Sequence, residues 1–170
     1  MPHAKNKTEW CLRKAEKELK ETGRHRGLVR IEPSNDLALA HIRKAEHTLK
    51  AVMEFQRIGY SDWSASAAFY AIYHCLLAIA AKHGYESRNQ ECTYALIYHL
   101  IETKKIKLDR DLIENVHRLN PDARQESPTI IEIRETYQYG VATSLENNVL
   151  EKILHTAKTI MDQAKEEMEE

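Results

Sequence analysis

Arg134 and two nearby tyrosines have the residue types and spacing best suited to a phosphate-binding site. Arg134 follows three isoleucines within Ile130–Ile133, so we expect its guanidinium to lie beside buried surface, where it needs a carboxylate or phosphate partner. Phosphate would be held in a bidentate fork, and the structural alternative is a salt bridge to Glu132 or a neighbouring residue. Tyr137 and Tyr139 either pack in the core or stack on a base.

A second group of polar side chains lies in the most apolar stretch of the chain. Tyr70, Tyr73 and His74 fall between Ala65 and Ala81, a stretch too short and too polar to cross a bilayer, which predicts a buried central helix. The three side chains either pack with satisfied polar atoms or form the wall of a binding cleft. If the site is catalytic, Arg134 and His74 are the candidates.

Many familiar catalytic and metal-binding motifs are absent from the sequence. There is no glycine-rich phosphate loop, no HExxH, no GxSxG and no Glu-x-x-His repeat. No two of the nine histidines are spaced to hold a metal on one helix face. We therefore predict no metal and no cofactor.

The charge of the chain is balanced overall but uneven along its length. The 170 residues hold 25 basic and 26 acidic side chains, which excludes a strongly basic protein that coats nucleic acid. Positive charge is concentrated at the N-terminus and in a predicted basic linker containing Arg24, His25, Arg26 and Arg30. We interpret this end as a solvated helix face and linker, with contact to phosphate or an acidic partner as the alternative.

The cysteines and the N-terminus predict an intracellular protein. Cys11, Cys75 and Cys92 are widely separated, odd in number and without a CxxC pair, which predicts reduced, packed thiols. The N-terminus has no apolar signal core. We therefore expect a cytoplasmic location without a membrane span.

Helical periodicity predicts an all-α, up-down antiparallel bundle of about five core helices with an N-terminal helical extension. Apolar residues recur at helical spacing from Ala38 to Val52, between the start signal Pro33–Ser34 and Gly59. The other predicted helices are an N-terminal one over about Lys5–Thr22, Ser61–His83, about Gln90–Thr103, Leu108–Leu119 ending at the turn Asn120–Asp122, one after the capping-box pair Thr129–Glu132, and about Leu145–Glu167 after the similar pair Thr143–Glu146. Residues 1–33 form the basic N-terminal helix and linker, and residues 34–170 form the bundle.

The order of these segments resembles the HEPN domain family. Ser64–Tyr85 reads SASAAFYAIYHCLLAIAAKHGY, and 130–140 reads IIEIRETYQYG; family members carry an early helix with paired aromatics and His, then a late helix with Arg followed by His or an Asp-Tyr pair. The resemblance covers about residues 36–168. It implies a helical homodimer whose late-helix arginines face a shared cleft. Some members cleave RNA without metal through Arg-x4-6-His; others are toxins or partners of minimal nucleotidyltransferases, and in some a nearby tyrosine is modified by that partner.

This sequence departs from the nuclease pattern of that family. The positions open to the histidine after Arg134 are Tyr139, Gly140 and Val141. A tyrosine, with an ordinary pKa of about 10, is a poor proton shuttle at neutral pH. Arg110 and His117 also fit Arg-x6-His, but they precede the motif helix, and we interpret them as a surface coincidence.

The sequence therefore predicts a cytoplasmic HEPN-like homodimer without an intact nuclease motif. It would bind nucleotide or RNA, or serve as the partner of a minimal nucleotidyltransferase in a toxin–antitoxin-like pair. The predicted binding residues are Tyr70, Tyr73, His74, Arg134, Tyr137 and Tyr139. One alternative is a metal-independent ribonuclease toxin that uses Arg134 with His74 or His117. Another is a helical scaffold in which Arg134 forms an internal salt bridge.

Overall fold

The computed structural model describes residues 2–120 and 127–169, which form seven helices and one two-stranded sheet. The elements in chain order are α1 Pro2–Thr22, β1 Leu28–Arg30, α2 Asn35–Arg57, α3 Asp62–Lys82, β2 Tyr85–Ser87, α4 Gln90–Glu102, α5 Arg110–Val116, α6 Ile130–Tyr139 and α7 Asn147–Glu169. The all-α prediction is confirmed. Of the turn predicted at Asn120–Asp122, Pro121 and Asp122 lie outside the described residues.

Helix α3 is the centre of the bundle and packs against α2, α4, α6 and α7. Its neighbour α2 begins where the Ser34 hydroxyl accepts a hydrogen bond from the backbone N–H of Leu37, and the chain turns at Gly59, which has a φ of 85°. By length and apolarity α3 alone among the described helices is a candidate membrane span, but 78% of its most apolar window is buried inside the protein. The hydrophobicity of α3 is therefore that of a core helix.

The N-terminal helix α1 packs along α4 and is joined to it by a disulfide between Cys11 and Cys92. The prediction of three reduced thiols is wrong for this pair, because the packing brings their Cα atoms to 5.9 Å, within bonding range. The two residues are 81 positions apart, so no local pattern indicates the contact. Cys75 is the free thiol of the described chain, and burial raises its pKa to about 12.

The predicted basic linker contains a short strand, and its arginines Arg24, Arg26 and Arg30 are exposed as predicted, whereas His25 is buried. Leu28–Arg30 pairs antiparallel with Tyr85–Ser87. Gly84 permits the return with a φ of 81°, and a Cβ there would lie 3.0 Å from the carbonyl oxygen of Ile31. His25 is buried, and its Nε2 lies 3.2 Å from Oε1 of Glu86. The division of the chain at residue 33 remains a prediction.

Two helix starts near the C-terminus show how well capping signals can be recognised in the sequence. The pair Thr129–Glu132 forms the predicted capping box at the start of α6. The pair Thr143–Glu146 does not form one, because α7 begins only at Asn147. In the segment before α7 the backbone N–H of Leu145 donates to the Ser61 hydroxyl instead.

Candidate functional site

The capping box of α6 fixes the carboxylate of Glu132, one of the ion-pair partners that the sequence predicts for Arg134. Oε2 of Glu132 accepts hydrogen bonds from the Thr129 backbone N–H at 2.6 Å and from its hydroxyl at 2.8 Å. These bonds from Thr129 hold the pKa of Glu132 below its usual range. The predicted salt bridge of Arg134 is therefore not made with Glu132, whose carboxylate is used at the helix start. It is made with the neighbouring Glu135, whose Oε1 lies 3.7 Å from Nη2 of Arg134.

Arg134 lies on the aromatic face of a core residue. Its Cζ atom is 4.4 Å from the centroid of the Phe69 ring, and its side chain is 12% exposed. The nearest described carboxylate is that of Glu135, at 3.7 Å and itself half exposed. The buried Nε–H of Arg134 has no hydrogen-bond partner among the described residues. The guanidinium is thus largely desolvated, with donor capacity left unused.

Two tyrosines on neighbouring helices complete this group of side chains. Tyr73 stacks on Phe69 at 5.9 Å between ring centroids, and its hydroxyl lies 3.1 Å from Oγ1 of Thr93. Tyr94 is fully buried, and its hydroxyl has no hydrogen-bond partner in the described structure. Burial raises the pKa of Tyr94 despite the opposing charge of Arg134, so its hydroxyl stays neutral. We call Phe69, Tyr73, Tyr94 and Arg134 the Arg134 cluster.

Tyr94 was not among the predicted site residues. The sequence shows it only as one of the apolar positions of the predicted helix over about Gln90–Thr103, and it is indeed buried there. That its hydroxyl is unpaired depends on how the helices pack, so no signal in the sequence could have found it.

His74 faces a different part of the bundle. Its Nδ1 lies 3.0 Å from Nδ1 of His41 on α2, and burial lowers the pKa of both imidazoles. Phe69 and His74 are five positions apart, which places them about 140° apart around α3. Tyr70 is 49% exposed, and its ring meets the Phe69 ring edge-on at 5.3 Å between centroids. The structure therefore does not bring His74 to Arg134, whereas it places Tyr70 at the edge of the cluster, against the ring that carries the guanidinium.

His117 lies closer to the cluster but is already engaged. Its ring stacks on Tyr94 at 4.3 Å between centroids, and its Nε2 lies 2.7 Å from Oε1 of Glu91. Burial lowers the pKa of His117, so the imidazole is held as a neutral group. Arg110 has separate partners, Glu102 at 3.0 Å and Glu114 at 2.8 Å. Arg110 and His117 thus do not act on one another, although His117 is buried and not on the surface as predicted.

Tyr137 and Tyr139, the two tyrosines that follow Arg134 in the sequence, both lie outside the Arg134 cluster. Tyr139 is 77% exposed at the end of α6. Tyr137 is half-buried and lines a groove of about 850 Å³ between α6 and α7. Gly140, which follows Tyr139, leaves no room for a side chain, because a Cβ there would lie 2.4 Å from the Thr136 carbonyl oxygen. No group of three His, Cys, Asp or Glu side chains in residues 2–120 and 127–169 is arranged to hold a metal ion.

A comparison with models of protein families finds a match that covers the part of the chain containing the Arg134 cluster. The model of the HEPN domain matches residues 38–168, most of the chain. The chain belongs to the HEPN domain family. A search of curated proteins gave no significant match. The matched range contains the whole Arg134 cluster, whereas α1 and β1 precede it.

As a HEPN domain, this chain has tyrosine where the nuclease pattern has histidine. Position 139, five residues after Arg134, carries the exposed Tyr139, and Gly140 and Val141 follow. No described histidine forms a hydrogen bond or ion pair with Arg134. Among the described residues, Arg134 therefore has no histidine beside it that could transfer a proton.

Proposed function

We propose that this HEPN protein binds a phosphate-bearing ligand, a nucleotide or RNA, at Arg134 and does not cleave it. The observation that carries the proposal is the guanidinium of Arg134, held on the Phe69 ring with its Nε–H unpaired and its nearest described carboxylate, the half-exposed one of Glu135, at 3.7 Å. A largely buried arginine that keeps an unsatisfied donor is costly. Phosphate provides the charge and the acceptor oxygens that would satisfy it.

The neighbouring side chains suit binding better than phosphodiester cleavage. Cleavage without a metal needs a group that takes up or releases a proton near the operating pH, in hydrogen-bond reach of the reacting oxygen. Tyr94 is held neutral by burial, which leaves it a hydroxyl donor to an anion. His117 is oriented toward Glu91. Arg134 can therefore stabilise bound phosphate, whereas neither Tyr94 nor His117 offers a proton relay.

The proposal includes a homodimer formed through the exposed face of α3. Trp63, Tyr70 and Leu77 are seven residues apart and form one stripe along this otherwise buried helix. Trp63 and Tyr70 are each about half exposed, and aromatic side chains are enriched in protein interfaces. Pairing of this stripe with its copy would bring the two α3 helices of a dimer together.

We expect Tyr70→Glu to convert the dimer into a monomer, because it places a charge in the centre of the apolar stripe. Light scattering would measure the mass, which should be twice 19.7 kDa for the wild type and 19.7 kDa for the variant. Leu19→Glu, at an exposed position on α1, is the matched control and should remain dimeric. A monomeric wild type, or a dimeric Tyr70→Glu protein with native circular dichroism, would exclude this interface.

A minimal nucleotidyltransferase is the protein partner that we propose, in a toxin–antitoxin-like pair. The support within the chain is the end of α6, where Tyr139 and Val141 are the two most exposed large apolar side chains described. Such residues are accessible to a partner and have little role in packing this bundle. We also propose a cytoplasmic location.

We expect Arg134→Ala to weaken binding of single-stranded RNA by about tenfold to a hundredfold, the effect of losing charge-assisted hydrogen bonds. Fluorescence anisotropy of a labelled oligoribonucleotide would measure the affinity. Arg57→Ala is the control, because Arg57 is an exposed arginine whose ion pair in the described structure is with Glu54. Arg134→Lys should bind with intermediate affinity, since it keeps the charge but loses the fork. Equal affinities of Arg134→Ala and Arg57→Ala would refute binding at Arg134.

A further inference from the structure

A groove of about 690 Å³ lies between α1, the loop before β1 and the start of α4. Lys7, Trp10 and Lys14 face it from one side of α1, at the spacing that aligns side chains along a helix. Arg26 and Arg88 face it from the opposite side. The groove thus combines four cationic side chains with one indole ring.

The acidic side chains in the groove are already engaged. Glu18 accepts a hydrogen bond from the backbone N–H of Arg26 at 3.1 Å. Glu91 contacts Lys7 and His117, each at 2.7 Å. Of the cations, Arg88 is paired with Glu86 at 2.9 Å, whereas the side chains of Lys14 and Arg26 form no ion pair with any described carboxylate. The groove therefore retains positive charge that an anion would neutralise.

Trp10 adds an exposed aromatic ring to the cationic side chains of the same groove. It is 52% exposed, although it is among the largest apolar side chains in the protein. The Lys14 ammonium lies 5.0 Å from the centroid of its ring. An exposed indole beside unpaired cations is the combination by which proteins stack a base and hold its phosphate.

We propose that this groove binds a nucleotide, with the base stacked on Trp10 and the phosphates held by Lys14 and Arg26. Its volume lies within the range of about 300–1,000 Å³ typical of small-molecule pockets. The nucleotide is either free or part of a single-stranded RNA, since both present the same base and phosphate. Much of this site precedes residue 38, where the HEPN match begins, and it does not rest on the proposed role of Arg134.

The disulfide is the part of the structure that holds the two walls of the groove together. Cys11 and Cys92 both line it, and their bond joins the α1 wall to the α4 wall. Binding is best when the groups that contact a ligand are already in place. We therefore expect the nucleotide to bind the oxidised protein more tightly than the reduced protein.

Tryptophan fluorescence offers a direct test, because the chain has only two tryptophans. In a Trp63→Phe background, Trp10 is the sole emitter, and titration with ATP should quench it. Adding Arg26→Ala should weaken the apparent affinity by about tenfold or more. Adding Lys20→Ala instead should leave the affinity unchanged, because Lys20 is on the same helix as Trp10 but lies outside the groove.

Further titrations distinguish the source of the nucleotide and separate this site from Arg134. If a short single-stranded RNA saturates the quenching of Trp10 at a lower concentration than ATP does, the ligand is an RNA strand. If ATP saturates the quenching at the lower concentration, the ligand is a free nucleotide. Inorganic triphosphate should compete with either. Arg134→Ala should not alter the quenching, so a failure at Arg134 leaves this proposal standing. Absence of quenching by both ATP and RNA, or equal affinities of the Arg26→Ala and Lys20→Ala proteins, would overturn it.

Discussion

Reduction of the Cys11–Cys92 disulfide is expected to lower the free energy of unfolding by about 4.5 kcal/mol, the chain-entropy value for a loop of this size. The bond closes a loop of 81 residues, so its loss frees a large part of the unfolded chain. It also removes the covalent link between α1 and α4. Urea unfolding followed by circular dichroism, with and without a thiol reductant, would measure the difference.

Two variants make this result specific to the disulfide. The Cys11→Ser/Cys92→Ser protein should be as unstable without reductant as the reduced wild type, and should not respond to reductant. Cys75→Ala, which changes the buried free thiol, should keep the response. Thiol titration of the denatured, unreduced wild type should find one thiol per chain. Three titratable thiols, or the same urea midpoint with and without reductant, would contradict the bond.

The thiol count also bears on the proposed cytoplasmic location. Stable disulfides are uncommon in the cytoplasm of most organisms. Purification of the protein from cells under conditions that trap free thiols would show whether Cys11 and Cys92 are bonded where the protein functions. A fully reduced pool would agree with the cytoplasmic location and would limit the disulfide to oxidising conditions.

Phe69→Ala is expected to reduce both stability and RNA binding. Truncation of a buried phenylalanine costs about 3–5 kcal/mol of unfolding free energy, and Phe69 is fully buried at the centre of α3. The same change removes the ring beneath the guanidinium of Arg134. We expect the arginine to lose its fixed position and the affinity for RNA to fall toward that of Arg134→Ala. Urea unfolding and anisotropy on the same samples would measure the two effects.

Ile79→Ala is the control that separates these two roles of Phe69. Ile79 is equally buried on the same helix, and its truncation costs about 2–5 kcal/mol. It forms no part of the Arg134 cluster, so RNA binding by the folded fraction should be unchanged. If Phe69→Ala and Ile79→Ala bind RNA equally well when folded, Phe69 has a purely structural role.

The helices could be predicted because their signals are local. The apolar stripe from Ala38 to Val52 is buried against α3 as its period requires. The capping box at Thr129 fixes the start of α6. The pair Thr143–Glu146 has the same spacing, but Leu145 is buried and its backbone is held by Ser61. Tertiary contacts there override the local signal.

The arrangement of the site could be predicted only in part, because it depends on contacts distant in sequence. The isoleucines before Arg134 indicated correctly that it lies beside buried surface. The sequence could not show that Glu132 is used at the helix start or that Phe69 lies beneath the guanidinium. His74 is near Phe69 in sequence but lies on another face of α3. The disulfide and the pairing of β1 with β2 likewise join residues far apart in the chain.

The central claim is that the Arg134 site binds RNA without cutting it. The most direct test is to incubate the folded protein with labelled single-stranded RNA in the presence of a metal chelator and to measure bound and cleaved RNA in the same samples. We predict intact RNA throughout, with a bound fraction that falls in Arg134→Ala and not in Arg57→Ala. Cleavage by the wild type that is lost in Arg134→Ala would contradict the claim and identify a ribonuclease. Parallel loss in His117→Ala or His74→Ala would then identify its proton-transferring group.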